Sequence, residues 1–273
     1  MTSIDNITIN QITTNALDLP GAVKAYASAG IKGITPWRDK VEAIGVKKSK
    51  NIISDHGLSV TGFCIAGLFT QKGRAAGPAQ IDEAKKSIDI AAELGSPSVV
   101  TVVGGLLPES KSLQDARSFA FDCLAQTVEH ARKAGVIMAI EPLHPMYTPD
   151  WSVVNTIADA IAWSEKIGAG TGVAIDTYHV WWDHKAFEGI AEAGRKKLLA
   201  AFHISDWLMQ TSSLLLDRGV PGEGVIDLKA YAAAMQAAGF DGWTEVEIFS
   251  ERHWARPADA LIQDIIAGCK SQL

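Results

Sequence analysis

One unit recurs along the whole chain: a short apolar run, a polar loop, an amphipathic helix, a glycine, and then the next apolar run. Gly30 stands before "IKGITPW", Gly57 before "LSVTGFCIAG", Gly95 before "SPSVVTVVGG" and Gly135 before "VIMAIEPL". Gly172 opens "GVAIDTY", and Gly239 precedes "FDGWTEVEIF". Glycine past a helix end is the expected terminator, because it alone takes positive φ without a Cβ clash. The segments between are periodic. "QIDEAKKSIDIAAELG" places Ile81, Ala84, Ile88 and Ala92 on one face, and "DWSVVNTIADAIAWSEKIG" does the same with Val154, Ile157, Ile161 and Ile167. With the opening "ITINQI" and the later "LLAAFHIS", eight strands are predicted, beginning near residues 4, 33, 59, 97, 136, 172, 199 and 242. Strands alternating with helices imply a parallel sheet, and eight such units imply closure into a (β/α)₈ TIM barrel. No Pro/Ser-rich linker or long charge run divides the chain, so one α/β domain spanning residues 1–273 is expected. An open doubly wound sheet is the alternative, but no GxGxxG follows the first strand to mark a dinucleotide site.

Size and charge narrow the functions available. At 273 residues with 47% hydrophobic side chains, the chain can fill one barrel core. Its 25 basic residues are outnumbered by 31 acidic ones, which opposes a nucleic-acid partner. Cys64, Cys123 and Cys269 are odd in number and lack metal-ligand spacing, so they read as reduced thiols of a cytoplasmic protein. The N-terminal "MTSIDNITIN" has no basic region followed by an apolar core, and no apolar run approaches the roughly 20 residues that would span a membrane.

In such barrels, chemistry sits at the C-terminal ends of the strands. There the fifth predicted strand, "VIMAIE", ends in Glu141, and the sixth, "GVAID", in Asp176. The seventh, "LAAFH", ends in His203, and the eighth, "WTEVE", in Glu247. Four neighbouring strands thus present three carboxylates and one imidazole to one mouth; each alone reads equally as an ordinary solvated group, but together they are a ligand set for a divalent cation. Side chains two apart share a face of a strand, and Ala139, Ala174 and Ala201, two before the first three donors, leave space beneath them. Glu245 is the exception: it should face the same interior as Glu247, one layer down, and needs a partner.

The mostly oxygen set points first to Mn²⁺, with Mg²⁺, Co²⁺ or Zn²⁺ as alternatives. Four protein donors on a six-coordinate ion leave two positions, which suit the adjacent oxygens of an α-hydroxy ketone. Loss of the α-proton concentrates charge on those same oxygens, so the enediolate is held more tightly than the substrate.

Those four residues, with "AIEPLHP", "AIDTYH", "FHISDW", "RGVPGEGVID" and "GFDGWTEVEIF", resemble the signature segments of the xylose isomerase-like barrels, the sugar phosphate isomerase/epimerase superfamily. The resemblance covers essentially the whole chain. It implies metal binding by Glu141, Asp176, His203 and Glu247, and substrate contact by His179. Trp181 and Trp182 would close the site or pack under it. It also implies that Glu141 and Glu247 double as the bases of an isomerase or epimerase acting next to the carbonyl of a keto sugar. Ketohexose 3-epimerases usually carry an arginine soon after the strand-seven histidine; here Met209 falls near that place, and Arg218 is the candidate for its substrate-binding role. Free fructose and tagatose are therefore expected to be poor substrates. "EPLHPMY", "YHVWWD" and "DWLMQTSSLLLDRG" are closer to the catalytic subunits of C-glycoside deglycosidases, a resemblance that implies a lyase. There His144 would be the base that eliminates the aglycone of a 3-keto glycoside. A small sugar is the expected partner, with a homo-oligomer, or a small second subunit under the deglycosidase reading, as the assembly.

Other residues carry weaker readings. His144, between two prolines, either serves as a proton-transfer group or holds its turn. Trp37, ending the second strand, is a candidate wall of the substrate pocket. Asp206 reads as a hydrogen-bond partner behind the site or a loop cap, and Glu223 as a solvated turn residue. His56, His130, His184 and His253 read as surface or packing residues, and Cys64 as buried packing. An endonuclease IV-like phosphodiesterase would need further ligands and a basic face, and a sugar-sensing barrel would not need four metal ligands.

Overall fold

The computed structural model describes residues 6–273; the predicted start of the first strand, near residue 4, lies outside them. Nine parallel strands form one sheet: β1 (Ile7–Asn10), β2 (Gly33–Thr35), β3 (Ser59–Val60), β4 (Ala66–Gly67), β5 (Ser98–Val102), β6 (Ile137–Ile140), β7 (Thr171–Asp176), β8 (Leu199–Ile204) and β9 (Thr244–Val246). Their order is β3-β2-β1-β9-β8-β7-β6-β5-β4. The two outermost strands, β3 and β4, are consecutive in the chain and both come from "LSVTGFCIAG", the third predicted strand. One half pairs with β2 and the other with β5. Between them the Trp37–Cys64 bridge and the Val100 N–H bond to Phe63 O (2.9 Å) complete the ring. The eight predicted strands therefore correspond to eight staves of a TIM barrel, one of them split along a seam.

All residues of β1, β5 and β7 are buried, as expected for parallel strands covered by helices on one side and by the barrel interior on the other. The helix Gly77–Leu94 buries Ile81, Ala84, Ile88 and Ala91. The fourth position of that stripe is Ala91 instead of the predicted Ala92, which is half-buried at its edge. Gly95 and Gly135 end their helices in the left-handed conformation, with φ of 84° and 73°. The helix Ile157–Ile167 is shorter than its periodic segment, because the Thr156 hydroxyl accepts the Asp159 N–H and caps it there. Residues 150–156 instead cross the mouth, where Trp151 O accepts the Gly104 N–H at 2.9 Å.

The register shows how the strand ends converge. Asp176 pairs with His203, and His203 pairs with Glu245, not Glu247. Ile140 pairs with Val173, so Glu141 follows its pair by one residue and Asp176 follows Val173 by three. The four donors thus differ in register; the tilt of the barrel staves, not equal position along them, brings them together.

Candidate metal centre

One oxygen or nitrogen from each of Glu141, Asp176, His203 and Glu247 lies within 4.8 Å of the others, and all four residues are buried. Glu141 and Glu247 immediately follow β6 and β9, and Asp176 and His203 lie at the ends of β7 and β8, so all four sit on the rigid frame. Among the described residues the set could hold a metal ion, and the donor chemistry fits one: three carboxylates converge with His203, whose Nδ1 lies 3.1 Å from Glu141 Oε1 inside the cluster. A buried imidazole next to four acidic groups is a poor choice for packing and a good one for ligation.

Glu141 and Glu247 of the cluster line a cavity of about 120 Å³, together with His179 and Arg218. Trp37, Tyr147, Trp151, Leu215 and Phe249 wall it. Residues 208–217 lie over one side, held by the hydroxyls of Tyr147 and Tyr178, which both donate to Leu214 O. The larger hollows lie elsewhere, on the opposite barrel face and between outer helices, away from these groups.

Arg218 is the largest fully buried side chain and the main counter-charge. Its Nη1 donates to Asp176 Oδ2 at 2.9 Å and Glu247 Oε2 at 3.1 Å, and its guanidinium lies between the rings of Tyr178 and Phe249, at 4.4 and 4.9 Å. A short antiparallel pairing sets it there, with Arg218 N–H bonded to Phe249 O. Met209, in contrast, is 83% exposed and far from any such role. Arg218 therefore lines the cavity, with Nη1 and Nη2 bonded to the site's own residues and Nε buried without a partner.

The electrostatics follow from burial and these pairs. Burial pushes the Glu247 carboxyl up to about 8, aided by the charges of Glu141 and Asp176 and opposed by Arg218 and His203. Burial likewise raises Glu141, although its bond with His203 works against this. Asp176 is held below the usual carboxylate range: burial opposes this, but Arg218, His179 and His203 together outweigh it. Burial would discharge His203, yet Glu245, Glu141 and Glu247 hold it well above the ordinary imidazole range. His179 is pushed down to about 3 by burial and stays neutral, with Nε2 3.1 Å from Arg218 Nη2.

The remaining sequence candidates separate. His179 and Trp37 line the cavity. The Trp37 indole N–H donates to Asn10 Oδ1 at 2.6 Å, which fixes the ring. His144 stacks on Trp207 at 5.3 Å and meets Trp182 edge-on at 5.8 Å, outside the cavity lining. Its pKa is lowered by burial. Trp181 packs on Trp207 and Trp182 caps His179 O, so neither covers the floor. Asp206 is a loop cap, accepting the N–H groups of Trp207, Gly222 and Ile226. Glu223 is not a free turn residue; it accepts from Val220 N, Arg252 and His253, and these bonds lower its pKa against burial. His56, His130 and His184 are at the surface, and His253 and all three cysteines are buried, the thiols free.

Asn10 is the residue that strand-end reasoning missed. Its Nδ2 donates to Glu245 Oε1 at 2.7 Å and Glu247 Oε1 at 2.9 Å, tying the first strand to the last. The signal was available, since "ITIN" ends in Asn10 as "GVAID" ends in Asp176.

The fold and this buried donor set define a metal-site type of α/β barrel, and residues 23–271 match the model of the xylose isomerase-like TIM barrel family. The chain belongs to that family. It is 29% identical over 188 residues to inosose isomerase of Bacillus subtilis (strain 168), a match that covers 67% of this chain and 65% of the length of that enzyme. Protein SMc04130 of Sinorhizobium meliloti 1021 superposes with a TM-score of 0.96 at 43% identity, covering 99% of both chains. A crystal structure of the IolI protein with a binding zinc atom gives a TM-score of 0.81 at 22% identity over 97% of each chain and shares the fold.

Proposed function

We propose that this chain is a divalent-metal-dependent isomerase or epimerase that moves a proton next to the carbonyl of a keto sugar or a ring polyol ketone. The observation that carries the reading is the set of four buried donors from four adjacent staves, two of which, Glu141 and Glu247, line one cavity. Glu141, Asp176, His203 and Glu247 would hold the ion. When bound, it supplies Lewis acidity toward two neighbouring substrate oxygens. The name of the Bacillus relative, inosose isomerase, and the zinc in the IolI structure agree with this class, and Mn²⁺ remains the first candidate for the oxygen-rich set.

The side chains divide the remaining work. Glu141 uses only Oε1 in a hydrogen bond, with His203 Nδ1 at 3.1 Å, which leaves Oε2 free to take a proton from the cavity. Glu247, fixed by Asn10 and Arg218, is the second carboxyl able to hold and return one. Trp37, Trp151 and Phe249 offer apolar faces to a sugar ring and exclude water. Arg218 is the one cationic side chain of the lining; its Nη1 and Nη2 pair with Asp176, Glu247 and His179, whereas its Nε is buried without a partner.

The direct test is proton exchange. Metal-loaded protein incubated in D₂O with a panel of ketohexoses, pentuloses and inososes should place deuterium on the carbon beside the carbonyl for at least one of them, and a chelator should stop it. Absence of exchange across the panel with Mn²⁺, Co²⁺ and Zn²⁺ would reject the reading. In the same assay His144→Ala is expected to keep most of the exchange, because the ring lies against Trp207. A loss of about 10²–10⁴-fold would make His144 the base and restore the lyase mechanism.

Metal removal has a pH signature. The native pKa of Glu247, about 8, lies above that of an unfolded carboxyl, and His203 is raised as well. Both groups therefore bind protons more tightly in the native protein, and their contribution to stability is lost as pH rises through those native values. Metal-free protein should melt at a lower temperature at about pH 8.5 than at about pH 7, and added metal should reverse the difference. A chelator-treated melt that is flat or rising over this interval would contradict the charge states assigned here.

A further inference from the structure

Glu245 is a fourth acidic group in this region, and neither the ligand set nor the proton transfer uses it. It is buried, with 4% exposure, and faces His203 directly in the strand register. Its Oε1 accepts from Asn10 Nδ2 at 2.7 Å, and its Oε2 accepts from Thr35 Oγ1 at 2.5 Å. Arg218 pairs with Asp176 and Glu247 but makes no ion pair with Glu245. The basic group facing it is the His203 ring, whose Nε2 lies 3.7 Å from Oε1 and has no other partner. The opposite ring nitrogen, Nδ1, points into the donor cluster, 3.1 Å from Glu141.

We propose that Glu245 is the positioning residue for His203: it holds the ring proton on Nε2 and so presents the lone pair of Nδ1 to the ion. The inference rests on the metal reading above. The physical reason is that an imidazole ligates through one nitrogen only when the other carries the proton, and a carboxylate behind the ring selects that tautomer and fixes the ring angle. Asn10 and Thr35 hold the Glu245 carboxylate still, and closing the Nε2–Oε1 separation from 3.7 Å by about half an ångström to hydrogen-bond distance would complete the contact. Gly62 supports the arrangement, since a Cβ there would come within 3.1 Å of Thr35 Oγ1 and 3.5 Å of Glu245 Oε2.

The test compares wild type, Glu245→Gln and Glu245→Leu, each stripped and then titrated with Zn²⁺ or Co²⁺ against a competing chelator dye. Glu245→Leu should bind the ion roughly 10–100-fold more weakly, the usual effect of removing a partner behind a ligating histidine. Glu245→Gln should recover most of the affinity, because its amide oxygen still accepts the Nε2 proton. Imidazole ¹⁵N spectra of the Zn²⁺-loaded wild type should show the His203 proton on Nε2 and metal on Nδ1, a readout that general loss of packing would not produce. Equal affinity in Glu245→Leu, or a wild-type proton on Nδ1, overturns the proposal. The spectrum of the wild type decides the matter even if the leucine variant does not fold. Wild-type protein that binds none of these ions would overturn the metal reading itself, and with it this inference, a result visible without any variant.

Discussion

Glu247→Gln and His203→Ala are each expected to leave purification with little bound divalent metal and to lose proton-exchange activity by at least about 10²–10⁴-fold. Both substitutions remove a donor from a set whose atoms lie within 4.8 Å of one another. Glu247→Gln also removes one of the two carboxyls that can move a proton, yet its amide can still meet Asn10. The barrel should therefore remain folded, which circular dichroism and a cooperative melt would show. Metal analysis and the D₂O exchange assay measure the effect. Full metal content and full activity in both variants would mean that the cluster is a structural ion-pair network.

Arg218→Leu is expected to produce the largest loss of stability of any single change in the site. The guanidinium is 2% exposed and pairs with Asp176 and Glu247. Removing one member of a buried pair leaves the partner charge without compensation, at a cost of about 3–5 kcal/mol. The loss should depend on metal: a divalent ion supplies positive charge to the same carboxylates, and saturation to about 100 times its Kd adds about 2.7 kcal/mol to the folded state. Thermal melts with and without Mn²⁺ should show the variant gaining more from the ion than wild type does. An equal gain in both proteins would show that Arg218 does not share the ion's role.

Much of this was legible in the sequence, and the exceptions have physical causes. Helices, staves and the four strand-end donors follow from local rules: apolar periodicity, glycine at helix ends, and chemistry where a strand leaves the sheet. The break of the third stave into β3 and β4 was not legible, because pairing along "LSVTGFCIAG" is decided by its neighbours, β2 on one side and β5 on the other. The alternatives for Glu223 and Asp206 were settled by groups 16 to 30 residues away in the chain, such as Gly222 and His253. Arg218 was readable as a cavity residue, but not its commitment to Asp176 and Glu247, which needs the pairing of its strand with Phe249. The place of His144 depended likewise on Trp207, which no spacing rule connects to it.

The seam between β3 and β4 has a mechanical consequence. It lies across the ring from β8, and the strands beside the donors, β7 and β8, run six residues each, whereas the two halves of the seam run two residues each. The barrel thus has a stiff side and a compliant side. Thermal breathing should concentrate at residues 59–67, where backbone amides would exchange with solvent first. The β7–β8 side, which carries Asp176 and His203, keeps its spacing while the far wall gives.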